Sequence, residues 1–261
     1  VTARTLRLAK HHGLANDFLV VVDAEGRAPI TPEQAVALCS RRTGIGADGL
    51  LWAGPGVDGA DVSMVLLNAD GSRAEMSGNG IRCLVQAVGR ARGVTDGDFV
   101  VATDAGLRRV ELRPGPDEVT AIVRVDMGLV SEAPSPDLGL AAKQVLGASV
   151  GNPHLVALYG DRAGLDADAD GFARTDRNVE FVAVTGPDEL TMRVVERGVG
   201  ETQACGTGAC AAAWAANRWG LVGSHVRVVM PGGAADVELG DAVHLLGPTV
   251  FVADIEVPLW R

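Results

Sequence analysis

One motif is written twice in this chain, about half a chain length apart. Met76-Ser77-Gly78-Asn79-Gly80-Ile81-Arg82-Cys83 aligns with Ala204-Cys205-Gly206-Thr207-Gly208-Ala209-Cys210-Ala211: a small polar or thiol residue, then Gly-x-Gly, then a helix-forming run. Upstream of each copy lies an Asn-bearing turn, Gly13-Leu14-Ala15-Asn16 in one half and Gly151-Asn152-Pro153-His154 in the other. Two repeats in the same order point to a duplicated domain, so each half must close a core of its own around similar elements.

The apolar runs around the motifs follow the same order. The first half predicts strands over 5–9, 18–22, 62–67, 99–102, 107–112 and 119–125. The second predicts them over 155–159, 179–184, 191–196, 226–230, 235–239 and 250–257. Thr31-Pro32-Glu33-Gln34 is a capping-box start with Pro at the first helical position, opening a helix that runs towards Arg42. Gly78 to Arg92 carries helical spacing in Ile81, Leu84, Val85 and Val88 and stops at Gly93. The Ala-rich run Gly206 to Trp219 stops at Gly220. Pro114-Gly115-Pro116 marks a turn or domain boundary.

With 261 residues, 47% hydrophobic and 21% charged, the composition is that of a folded globular chain. A net charge of -10 lacks the basic footprint that phosphate backbones require, which argues against nucleic acid as a partner. No apolar run approaches the roughly 20 residues of a membrane span, and the opening decapeptide has no signal-peptide core. Cys39, Cys83, Cys205 and Cys210 do not make a disulfide framework in a chain of this size. The expectation is a reduced, cytoplasmic protein with no membrane partner. Lys10 and Lys143 are its only lysines, which matters because pyridoxal chemistry needs one.

Cys-Gly-Thr-Gly at the head of a helix has a chemical meaning. The first turn carries unpaired N–H donors and partial positive charge, so it binds a carboxylate or phosphate. It also favours a thiolate, drawing a cysteine below its usual pKa of about 8.5. Cys205 is thereby a candidate reactive thiol beside an anion site; the structural alternative is a small buried cysteine at a helix start. Ser77 holds the equivalent place, where an N-cap serine is the ordinary role. The repeat favours a functional reading for both, with the two helix starts facing one another across a cleft between domains. Cys39, Cys83 and Cys210 fall within helical patterns and read as packing residues. Gly44-Ile45-Gly46-Ala47-Asp48-Gly49 fits a dinucleotide glycine pattern but follows a helix and precedes a strand, so it reads as a turn. There is no Gly-Lys-Ser/Thr phosphate loop, no zinc spacing among the five histidines, and no Cys-x-x-Cys.

Along nearly its whole length the sequence resembles the diaminopimelate epimerase family. The resemblance rests on His12 through Phe18, Asn68-Ala69-Asp70-Gly71-Ser72, Glu75 through Cys83, Gly151-Asn152-Pro153-His154, Asn178-Val179-Glu180-Phe181, Glu196-Arg197-Gly198, and Gly200 through Gly208. It implies an α+β fold of two pseudo-symmetric domains, each a β-barrel-like sheet wrapped around a central helix. The first would span 1–114, with the strand in 248–261 returning to it, and the second 115–247. It implies inversion of an α-carbon without pyridoxal phosphate or metal. One cysteine thiolate removes the α-proton from one face and a second thiol delivers a proton to the other. A single base would tend to return the proton to its original face. By this resemblance Cys205 and the residue at 77 are the acid–base pair, and His154 and Glu196 assist. Gly78, Asn79, Gly206 and Thr207 hold the α-carboxylate at the helix starts. Asn16, Asn68, Asn152, Asn178, Glu196 and Arg197 line the site and read the far amino-acid end of diaminopimelate. A homodimer is also implied.

The resemblance breaks at one decisive position, where the family has Cys and this chain has Ser77. Cys83 matches a family cysteine of its own and is not a displaced catalytic thiol. A serine hydroxyl has no accessible anion near neutral pH and abstracts protons poorly. Either an introduced Cys→Ser change or a natural variant with altered chemistry would read this way, and the intact remainder of the site favours the first. Gly49, where some members carry Gln, is a lesser departure. Two other readings remain open on sequence: a cofactor-independent racemase or dehydratase of another amino acid, and an inert binding protein on the same fold.

Overall fold

Strand alternation decides the architecture, because it gives most strands in the chain two different apolar faces to cover. The computed structural model describes residues 5–27, 29–172 and 177–258. Residues 1–4, 28 and 259–261 of the range expected for the first domain, and 173–176 of the second, lie outside these. The chain divides into two compact units, Val1–Val125 with Pro248–Arg261, and Asp126–Gly247. Pro114-Gly115-Pro116 sits within the first unit, at the turn of the hairpin Gly106–Pro114/Thr120–Gly128.

In the first unit, strands Thr5–Gly13 and Asn16–Val22 form a hairpin. Helix α1 (Pro32–Cys39) crosses to strand Gly49–Pro55, which runs parallel to Asn16–Val22 and antiparallel to Val62–Asn68. Helix α2 (Gly78–Arg92) then crosses to strand Gly97–Thr103, parallel to Val62–Asn68. Strands Gly106–Pro114 and Thr120–Gly128 follow antiparallel. The last strand, Val243–Pro258, pairs with both Thr120–Gly128 and Thr5–Gly13, closing a ring of eight.

The second unit repeats the order. Strands Gln144–Ser149 and Pro153–Tyr159 are antiparallel, helix α3 (Arg162–Gly171) crosses to the parallel strand Asn178–Gly186, and Glu189–Glu196 returns antiparallel. Helix α4 (Gly206–Arg218) crosses to His225–Met230, parallel to Glu189–Glu196, and Gly233–Glu238 then leads to the start of Val243–Pro258. The same alternation of crossovers and hairpins in both units is the structural form of the duplicated motif.

The two crossover helices of each unit cover opposite faces. Leu19, Val21 and Leu67 pack with Ala35 and Leu38 of α1. Leu155, Ala157, Val179 and Phe181 pack with Leu165 and Ala169 of α3. The alternate residues of the same strands therefore turn towards α2 and α4. Those helices are enclosed: every residue from Gly78 to Gly89 is buried, as are all but Trp214 from Gly206 to Ala216. Helix α4 is apolar nearly all round, as a helix in such an interior is expected to be, whereas α2 also buries Asn79, Arg82 and Gln86. Among the described residues no helix is long and apolar enough to cross a membrane.

His11 illustrates the cost of this enclosure. Its ring is fully buried, Nδ1 lies 2.9 Å from Gln86 Oε1, and Nε2 meets no partner among the described residues. Burial lowers its pKa from 6.5 to about 4 against the partial support of Gln86, with the nearby Arg90 charge acting in the same direction as burial. The native state thus keeps His11 neutral where the unfolded chain would protonate it. Stability present above pH 6.5 is lost as pH falls towards 4, by about 3 kcal/mol. Urea midpoints from pH 7 to pH 4 should fall more steeply for the unsubstituted protein than for His11→Gln. Parallel curves would remove His11 from the acid response.

Candidate active site

Alternation also selects the site residues. Asn16 shares its strand face with Phe18 and Val20, and Asn68 shares one with Leu66. His154, Asn178, Glu180 and Glu196 likewise lie on the faces opposite those packed on α3. These faces turn to the central helix of their unit, and Asn16, Glu180 and Glu196 meet it at its N-terminal end, at Asn79, Gly208 and the capping Cys205.

At that end the two units match. Ser77 caps α2 at φ -142° and ψ 121°, its Oγ accepting from Gly80 N at 3.0 Å. Cys205 caps α4 at φ -127° and ψ 115°, its Sγ accepting from Gly208 N at 3.4 Å. Both helices then present first-turn N–H groups, at Gly78 and Asn79 or at Gly206 and Thr207, that have no intrahelical acceptor. A glycine stands two residues into each helix, where any side chain would be crowded. A Cβ on Gly80 would stand 3.1 Å from the Ser77 Cβ, and one on Gly208 would stand 2.7 Å from Glu180 Oε1.

In the second unit the polar residues form one cluster. His154 Nδ1 is 2.6 Å from Glu180 Oε1 and Nε2 is 2.9 Å from Asn152 Oδ1. Asn152 Nδ2 reaches Thr207 Oγ1 at 3.5 Å, and Thr207 Oγ1 lies 3.4 Å from Cys205 Sγ. Glu196 accepts from Thr202 Oγ1 at 2.5 Å and meets the Cys205 thiol. Asn178 Oδ1 accepts from the backbone N–H of Arg197, whose side chain is exposed. Glu180 has no role in the sequence reading, although a charged residue in the apolar run Asn178–Val184 is a visible signal.

The electrostatics reverse one expectation. The helix start is expected to draw the Cys205 thiol below its usual pKa. Instead burial raises it well above, and the Glu196 and Glu180 carboxylates add to the rise. The Thr207 and Gly208 hydrogen bonds only partly oppose this. Burial likewise pushes Glu196 up. Cys205 therefore rests as a thiol. Cys39 and Cys83 are also buried thiols, pushed up to about 12 and about 11 mainly by burial.

In the first unit the turn between the hairpin strands positions Asn16. Leu14 and Ala15 hold φ of 55° and 63°, the left-handed region that strains residues bearing a Cβ, and Gly13 pairs directly with Asn16. Asn16 Oδ1 accepts from Asn79 Nδ2 at 3.1 Å, and Asn16 Nδ2 donates to Asp48 at 2.8 Å. Asn68 donates to Ser72 Oγ at 3.0 Å. Lys10 is committed to an ion pair with Asp17 at 2.9 Å and a bond to Gly46 O at 2.7 Å. Asp48, Asp17 and Arg41 have no role in the sequence reading, because Asp17 meets Arg41 and Asp48 only across 24 and 31 residues of chain.

A family model described as diaminopimelate epimerase matches residues 8–132 and 147–252. A diaminopimelate epimerase from Corynebacterium glutamicum is 41% identical over 98% of this chain and 99% of its own length. One from Synechococcus elongatus is 39% identical over 95% and 96%. Among solved structures, a hydroxyproline epimerase from Agrobacterium vitis with bound trans-4-hydroxy-L-proline aligns at TM-score 0.71 and 15% identity, covering 98% of this chain and 93% of that one. A phenazine biosynthesis protein of the PhzF family from Bacillus anthracis aligns at TM-score 0.69 and 13% identity, over 97% and 99%. At such identities these structures speak to the fold alone.

Proposed function

The chain belongs to the diaminopimelate epimerase family and is an isomerase, and on that premise we propose that its two helix N-termini divide the inversion of diaminopimelate between Cys205 and Ser77. The observation that carries this reading is the matched capping geometry of the two residues, each accepting from the third N–H of its helix.

The reaction interconverts the LL and meso forms, as in lysine synthesis. The first-turn N–H groups at Gly78, Asn79, Gly206 and Thr207 hold the α-carboxylate and stabilise the charge that spreads onto it as the α-proton leaves. Cys205 serves one face of the α-carbon. As a thiol it delivers a proton there; to remove one it must first pass its own proton to a carboxylate, and Glu196 is the acceptor in contact with it. His154, held between Glu180 and Asn152, orients the Asn152–Thr207 side of the thiol. Ser77 serves the other face with a hydroxyl that cannot carry an anion near neutral pH, so this chain inverts slowly in both directions. Asn16, Asn68, Asn178, Glu196 and Arg197 read the distal amine and carboxylate. No step requires pyridoxal phosphate or a metal. A cytoplasmic homodimer acting on this small molecule, without nucleic acid or membrane, completes the reading, and light scattering on the purified protein tests the dimer.

Calorimetry tests the substrate. Lysine lacks the second carboxylate and would leave Arg197 and Asn178 unanswered. Diaminopimelate should therefore bind at least about 10–100-fold more tightly than lysine. Equal affinity for the two would overturn the assignment.

A further inference from the structure

We infer that Asp48 is a positioning residue whose carboxylate oxygen fixes which way the Asn16 and Asn79 side-chain amides face. The inference deepens the function proposed above, since it rests on Asn16 and Asn79 meeting substrate.

Donors and acceptors decide the orientation. An amide side chain offers both, so by itself it can face either way; an ionised carboxylate only accepts and a guanidinium only donates. Here a row of side chains runs between one of each. Arg82 Nη2 donates to Asn79 Oδ1 at 2.7 Å, Asn79 Nδ2 to Asn16 Oδ1 at 3.1 Å, and Asn16 Nδ2 to Asp48 Oδ2 at 2.8 Å. With Arg82 at one end and Asp48 at the other, both amides have a single orientation. Asn79 lies in the first turn of α2, so this orientation sets which polar atoms flank the anion-binding end of the helix. A reversed row would put carbonyl oxygens where N–H groups now stand.

Asp48 is itself held from several sides. Arg41 Nη2 bridges Asp48 Oδ1 and Asp17 Oδ1, each at 2.7 Å, and Asp48 N donates to the Asp17 backbone carbonyl at 2.9 Å. The Asp48 carbonyl accepts from Ala69 N at 3.0 Å, which ties the same residue to the backbone beside Asn68. One residue in a turn thus holds Asn16 through its side chain and the backbone next to Asn68 through its carbonyl.

A purely structural role would work through the Arg41 ion pair; a positioning role works through the acceptor oxygen. The two separate in a pair of variants of the full chain. Asp48→Asn loses the charge but keeps an oxygen of the same reach, turned to the same place because the Asp17 N–H and the Asn16 amide both donate there, whereas Asp48→Ala loses both. We expect the diaminopimelate Kd, and the KM of the Ser77→Cys form, to rise about tenfold for Asp48→Ala and to stay within about threefold for Asp48→Asn, with kcat moving less than KM. Thermal unfolding of both variants accompanies the titrations. Asp48→Ser, too short to reach Asn16, replaces Asp48→Ala if that variant does not fold. In ¹H–¹⁵N spectra the Asn16 side-chain amide, identified by its absence in Asn16→Ser, should shift or broaden in Asp48→Ala and hold its place in Asp48→Asn. Equal losses in the two variants, or no loss in either, would overturn the inference. If the unsubstituted protein fails to bind diaminopimelate, the proposed function falls. The amide spectra then still decide: an Asn16 signal indifferent to Asp48→Ala rejects the positioning role.

Discussion

Replacing Ser77 by Cys is expected to raise the rate of diaminopimelate inversion by at least about 10²–10⁴-fold, the usual contribution of one general acid–base group. Both directions of inversion use both faces, so a weak group on one face limits both. The position is ready for the change. Ser77 has nearly the capping dihedrals of Cys205, and each is followed three residues on by a glycine whose N–H it accepts. Polarimetry or NMR from each pure isomer measures the rate. If the protein with Ser77 already inverts diaminopimelate as fast as Ser77→Cys, serine is competent here and the division of labour between two thiols does not apply.

The second large effect concerns solvent exchange. Removal and return of the α-proton on one face needs only the group on that face. The protein with Ser77 should therefore take up deuterium from heavy water into one stereoisomeric centre while inverting little. Cys205→Ser should abolish that uptake. Combining Cys205→Ser with Ser77→Cys should move it to the centre of opposite configuration, because the only thiol then serves the other face. NMR of LL- and meso-diaminopimelate with each variant gives the comparison. Uptake that survives Cys205→Ser unchanged would show that another group is the base.

Much of the fold can be read from the chain because its strongest local signals coincide with its repeat. The glycines at 78, 80, 206 and 208 open the two central helices, and Gly93 ends α2 in the left-handed conformation such a stop requires, at φ 69°. Elements that break the apolar pattern are harder to see. Helix α3 is rich in aspartate and buries only Leu165 and Ala169, so its periodicity is faint, although Asp161 caps it as an Asp should. Strand Gln144–Ser149 carries Gly147 and few side chains that signal a strand. The final strand is predicted from residue 250, yet pairing begins at His244 and the strand runs through Gly247-Pro248. In the site, the local motif is legible and the supporting shell is not. Cys205 and Ser77 are marked by the Gly-x-Gly immediately after each of them. Glu180 and Asp48 act on partners 26 and 32 residues away, His154 and Asn16. The thiol's raised pKa depends on an enclosure that only the folded sheet provides.

The strand Val243–Pro258 has a consequence for how the protein is made. Its early residues pair with Gly233–Glu238, but its later residues pair with Thr5–Gly13, the first strand described. During synthesis the amino-terminal ring therefore waits, two of its edges unsatisfied, until the segment 250–258 has cleared the ribosome. The usual vectorial order, in which the first unit matures while the second is still emerging, is closed to it. The nascent chain must carry exposed strand edges while the whole second unit is translated, the condition in which chaperone holding matters most. A nonsense codon just after Pro248 would thus strike the amino-terminal unit while sparing the residues of the unit made just before it.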